Sequence, residues 1–147
     1  MLRLLLAAAM IAFAPAALAA DAKQMEDNKK VVLDLNEAAI NQKNFEAAAK
    51  LIGPRYVQHN PNAADGLEGL KAFIGFLREK FANYHSEIKR VFADGDYVIL
   101  HVHNVPTPGA RGNAIMDIFK LENGKIVEHW DVRQEIPEKP ANTNTMF

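Results

Sequence analysis

The sequence predicts an α+β domain in which N-terminal helices pack on one face of an antiparallel sheet. Three observations carry this. Apolar residues recur at helical spacing up to Phe81, and after Tyr84 the period changes to alternation. Asp94-Gly95 and Asn123-Gly124 then punctuate the alternating half as hairpin signals. Helices first, then hairpin-linked strands, place the helices on one side of the sheet. If strongly curved, such a sheet makes a cone-shaped barrel whose interior can hold a small molecule.

Each element follows in order. Val31, Val32, Leu35, Ala38 and Ala39 mark a helix over 29–42. A short second helix fits Phe45 to Ile52, with Asn44 as its N-cap and Gly53-Pro54 as its stop. Tyr56 to His59 reads as extended and is ended by Asn60-Pro61. Leu67, Leu70, Phe73, Ile74, Leu77 and Phe81 mark a third helix. Strands are expected over His85–Ala93, Tyr97–Asn104, Asn113–Leu121 and Ile126–Gln134. The stretch 138–147 is Pro-, Asn- and Thr-rich and is expected to be a flexible tail.

A length of 147 residues accommodates one ordinary core, so one domain is expected over 20–137. From Met1 to Ala19 only Arg3 and Pro15 fall outside the apolar set. Arg3, the apolar run Leu4 to Phe13 and the small-x-small Ala17-Leu18-Ala19 have the layout of a secretory signal peptide cleaved after Ala19. The run is shorter than the ~20 residues of a spanning helix, so no stable membrane anchor is expected. The mature protein is expected to be secreted, in the periplasm if the source is bacterial. With 17 basic against 18 acidic residues, charge offers no reason to expect nucleic acid. The chain has no Cys, which excludes disulfides, thiolate metal sites and a cysteine nucleophile.

Alternation then sorts side chains into faces. One face of the strand 113–121 carries Asn113, Ile115, Asp117, Phe119 and Leu121, the other Ala114, Met116, Ile118 and Lys120. Both faces are largely apolar, which predicts burial on both sides. Asp117 between Ile115 and Phe119 is then a desolvated carboxyl with a raised pKa. The last strand puts Val127, His129, Asp131 and Arg133 together and turns Trp130 away, toward packing or a subunit contact. In the strand 97–104 the face with Tyr97, Ile99, His101 and His103 is mixed, as a cavity lining often is, and Val98, Leu100 and Val102 read as core. His59, His101, His103 and His129 are therefore expected to converge. His101-x-His103, completed by Asp131 or His59, is a weaker metal-site alternative, and no metal or other cofactor is the primary expectation.

Several segments taken in order resemble a known family: Tyr56-Val57-Gln58-His59-Asn60-Pro61, Gly66-Leu67-Glu68-Gly69-Leu70-Lys71, the run Met116 to Ile126, and Val127-Glu128-His129-Trp130-Asp131-Val132. They are similar to the SnoaL-like polyketide cyclases of the nuclear transport factor 2-like superfamily. The resemblance covers about Lys29 to Pro137. It implies a cone-shaped α+β barrel, a homodimer, and a cofactor-free catalyst of intramolecular aldol condensation. It also implies that Asp117 matches a strand carboxyl at the acid/base site, and that His129 and Asp131 face the pocket. Asn60 falls where related isomerases carry a catalytic Asp before Pro, and it cannot take a proton as a base. Asn36 falls where those isomerases carry a tyrosine. The proton-handling task therefore passes to His59, Asp117 or another His.

The expected function is acid/base chemistry next to a carbonyl: aldol cyclisation, isomerisation or dehydration of a small apolar substrate. Asp117, His59 and His129 are the expected catalytic residues. Asn36, Asn60, Ile99, His101, His103, Ile115, Phe119 and Asp131 are expected to line the pocket. The alternatives are a non-catalytic small-ligand-binding module on the same fold and a His-ligated metal-dependent enzyme.

Overall fold

The computed structural model describes residues 15–147. Most of the segment read as an export signal lies outside the described residues. Helix α1 (Pro15–Asn36) runs into a single π-helical segment, Glu37–Asn41, in which the Gln42 N–H donates to the Glu37 carbonyl (2.9 Å). The π turn aims Asn41 at the sheet, where its amide exchanges two hydrogen bonds with the Ser86 backbone (2.9 and 3.2 Å). Such local widening often serves a tertiary or functional contact.

Helix α2 (Phe45–Ala49) is capped as expected, with the Asn44 side chain accepting from the Ala47 N–H at 3.0 Å. It ends before Ile52, and Gly53-Pro54 is not a break. Both residues lie within strand β1 (Ile52–Gln58). β1 is an edge strand paired only with β5 (Lys125–Glu135), so a proline without an N–H is tolerated. A Cβ on Gly53 would sit 2.9 Å from the Val127 side chain, so glycine permits close approach here. Helix α3 (Gly66–Lys80) buries Leu70, Ile74 and Leu77 along one stripe.

Strands β2 (His85–Asp94), β3 (Tyr97–Val105) and β4 (Asn113–Glu122) complete a five-stranded curved sheet in the order β1-β5-β4-β3-β2. All pairs are antiparallel except β1 with β5. Asn123 and Gly124, at φ 51° and 70°, make the tight turn between β4 and β5. The helices cover one face of the sheet, where Val98, Leu100, Val102, Ile115 and Phe119 join Val32, Leu35 and Ile74 in the core. The expectation that β4 is buried on both sides is corrected, because Met116 on its outer face is exposed. The helices cover only the inner side.

The tail carries no helix or strand, yet it returns to the outer face. Its Phe147 ring lies 5.3 Å from the His101 ring and 4.7 Å from the His103 ring. Gly112 anchors the start of this path by accepting the Ile136 N–H at 3.1 Å. At φ 78° it also lies against the Asn104 carbonyl, where a Cβ would collide. Gly112→Ala is therefore expected to cost about 1–3 kcal/mol of stability, read as a lower midpoint in a thermal melt.

Candidate active site

The pairing register decides which side chains meet. Leu100 pairs with Asp117, and Asp117 with Asp131; Phe119 pairs with His129. Directly paired residues share a face, so Asp117, His129 and Asp131 all point toward the helices, beside Ile115 and Phe119. Nε2 of His129 lies 3.1 Å from Oδ1 of Asp117. The other ring nitrogen, Nδ1, lies 2.9 Å from Oε1 of Gln58. The Phe119 ring stacks on the imidazole at 4.6 Å and holds its plane. Asn60 reaches the same group, its amide nitrogen lying 2.8 and 2.7 Å from the two oxygens of Asp131.

Burial is the main influence on Asp117 and raises its pKa above the ordinary carboxylate value. The hydrogen bond and charge of His129 act against that shift, and Asp131 adds to it. Tyr56, buried beside Gln58 with its hydroxyl 3.4 Å from the amide, is likewise pushed up, first by burial and then by the two carboxylates. Tyr84 is raised chiefly by burial; Arg133 opposes the shift. Edge-to-face contacts connect Tyr84 to Phe81 and Phe81 to Phe76 on α3.

Other expected site residues lie elsewhere. Ile99, His101 and His103 are on the outer face, paired with Ile118, Met116 and Ala114. The polar look of that face reflects its exposure. The uniformly apolar Val98, Leu100 and Val102 are the residues that face the interior. His59 is also displaced: one position beyond Gln58, it stacks on Trp130 at 4.5 Å and lies 3.3 Å from Glu128. Asn36 accepts the Ser86 hydroxyl at 2.8 Å and ties α1 to β2, with no contact to the carboxylates. The metal set built on His101 and His103 therefore does not assemble. Among the described residues, the group whose ligand atoms converge is Asp117, His129 and Asp131, all within 4.8 Å of one another.

Two surface depressions, of about 180 and 480 Å³, lie near the β4–β5 turn. Neither is lined by Asp117 or His129, so the chemistry-bearing group is a partly buried cluster whose side chains remain 17% and 12% exposed. Gln58 and Tyr56 were missed by sequence reasoning. Their signal was alternation along β1, which puts positions 56 and 58 on one face.

Solved structures share this architecture. A candidate polyketide cyclase from Bacillus cereus ATCC 10987 superposes with a TM-score of 0.65 at 22% identity, over 76% of each chain. A candidate ketosteroid isomerase from Kribbella flavida DSM 17836 gives 0.64 at 16% identity, over 81% of this chain and 86% of its own. An epoxide hydrolase from M. tuberculosis, of the LEH-like type, gives 0.63 at 16% identity, over 76% and 85%. At these identities the likeness concerns the α+β fold alone. A sequence search of curated proteins finds no match. The family model described as the SnoaL-like domain matches residues 32–129. On that match, which spans two thirds of its length, the chain belongs to the SnoaL-like domain family.

Proposed function

We propose that this protein is an enzyme that abstracts a proton next to a carbonyl in a small apolar molecule and stabilises the resulting enolate. The observation that supports this is the 3.1 Å contact between Asp117 and His129, set beside a second carboxylate, Asp131. Two neighbouring acid/base groups in unlike surroundings can divide the tasks of acid and base. In this reading the substrate C–H bond breaks and its proton passes to Asp131. The electron pair moves onto the carbonyl oxygen, which receives a proton from the Asp117–His129 pair. The enol, returning its O–H proton to the Asp117–His129 pair, can then be reprotonated at another carbon or attack a second carbonyl; a β-hydroxyl group instead leaves as water with the proton held on Asp131. Asn60, unable to act as a base, serves by holding Asp131 in place.

Binding tests this reading. 2-Naphthol mimics the enol of 2-tetralone, and an enolising site favours the mimic over the ketone. We expect 2-naphthol to bind at least about 10²-fold more tightly than 2-tetralone, measured by fluorescence titration. Equal affinities would contradict the proposal.

We also propose that two copies associate through the outer face, where Phe92, Tyr97, Met116 and Val132 are exposed apolar residues. Val132→Glu is expected to turn a dimer into a monomer in light scattering; a monomeric wild type would contradict this. Export is proposed from Arg3, the apolar run and the Ala17-x-Ala19 site. Mass spectrometry of the protein recovered outside the cytoplasm is expected to find Ala20 as the first residue.

A further inference from the structure

The protonation of the site is set by a residue that does not itself carry a proton to the substrate. Gln58 is held from both sides. Its backbone N–H donates to Asp65 Oδ1, ahead of α3, at 2.7 Å, and the next residue, His59, donates its N–H to the His129 carbonyl at 2.9 Å. The side-chain amide is oriented as well. The Asn60 backbone N–H lies 2.9 Å from Oε1 of Gln58, and a backbone amide can only donate. The atom facing Asn60 is therefore the oxygen. That same oxygen lies 2.9 Å from His129 Nδ1, so Nδ1 must carry a hydrogen and donate it.

A neutral imidazole with hydrogen on Nδ1 has a bare lone pair on Nε2. Here Nε2 faces a carboxylate oxygen at 3.1 Å. Two bare acceptors at that distance repel, and a proton between them removes the repulsion. It resides either on Asp117, donating to Nε2, or on the imidazolium, donating to the carboxylate. Both forms contain one shared proton. Asp131 is engaged elsewhere, both of its oxygens accepting from the Asn60 amide. The other titratable groups facing Asp117 are Tyr56 from β1 and Tyr84 ahead of β2, and the exposed Arg133 on β5 acts on Tyr84.

We infer that Gln58 is a positioning residue: by fixing hydrogen on His129 Nδ1, it obliges Asp117 and His129 to hold one shared proton. This deepens the enolising role proposed above and rests on that role for its catalytic meaning. The proton arrangement itself can be measured without turnover. Without Gln58, His129 can place its hydrogen on Nε2 and donate to an ionised Asp117, and the stored proton is lost.

The test is nitrogen-15 NMR of His129 in the full chain between pH 6 and 8. In the wild type, Nδ1 is expected to be protonated throughout this range. Gln58→Met is expected to shift the hydrogen to Nε2 and to lower kcat about 10²-fold with little change in KM. Gln58→Glu keeps an acceptor oxygen for both donors, and is expected to restore the wild-type tautomer and most of the lost turnover. A wild type with bare Nδ1, or a folded Gln58→Met variant that keeps hydrogen on Nδ1, would overturn the inference. Should Gln58→Met not fold, the wild-type tautomer and Gln58→Glu decide alone. The expected tautomer in a protein that enolises no ketone would leave the proton arrangement standing and remove the reaction. Enolisation with the opposite tautomer would do the reverse.

Discussion

Asp117→Asn is expected to lower turnover by about 10²–10⁴-fold while leaving the protein folded and, above neutral pH, at least as stable as the wild type. The two effects share a cause. Burial raises the pKa of Asp117, so the folded state binds a proton that the unfolded state releases more readily. Its stabilising contribution is full below the unfolded pKa and is lost as pH rises through the higher folded value. Asn is neutral throughout and avoids that loss. Its amide can also donate to Nε2 of His129, the atom that Gln58 leaves bare, so the contact survives. What Asn cannot do is give up a proton to an enolate oxygen. Thermal melts at pH 5 and pH 8 check the stability half, with the advantage of the variant expected to grow toward pH 8. Loss of activity with gain of stability is the pattern expected where function requires a destabilising group.

Leu100→Ala is the second large effect expected, and it acts through packing. Leu100 is fully buried in β3 and is paired with Asp117. Truncating it leaves a cavity, and Leu→Ala changes in cores cost about 2–5 kcal/mol. That is a large part of the 5–15 kcal/mol that typically holds a domain of this size together. The lost side chain also lies beside the carboxyl, so water admitted there would relieve the desolvation that raises the Asp117 pKa. The expected result is a lower denaturation midpoint together with a shift of the pH–rate profile to lower pH. Val102→Ala, two positions along the same buried face, should reduce stability without moving the profile.

Much of this arrangement was legible before the fold was known. Alternation in β4 and β5 placed Asp117, His129 and Asp131 on common faces, since strand geometry repeats every two residues whatever the tertiary context. The Asn44 cap and the Asn123-Gly124 turn are similarly local, and each appears where its chemistry requires it. The errors arose where a face had to be assigned to inside or outside. In β3 the histidine-bearing side was read as a cavity lining, but burial of Val98, Leu100 and Val102 against the helices turned it outward. In β1 the attractive residue was His59, whereas the neighbouring Gln58 faces the cluster. A shift of one position in a strand exchanges the two faces, and only the partner strand settles which is which. Gly53-Pro54 misled for a related reason: a helix stop and an edge-strand start use the same residues.

If Asp117 and His129 form a proton-handling pair that acts on a carbonyl compound, the protein catalyses hydrogen–deuterium exchange next to the carbonyl. 2-Tetralone in D₂O, followed by proton NMR, loses its α-proton signals as an enolising catalyst acts on it. Exchange well above the buffer rate is expected with the wild type, and a rate near that of buffer with Asp117→Asn. Exchange no faster than buffer with the wild type, or an equal rate with the variant, would contradict this role of the pair.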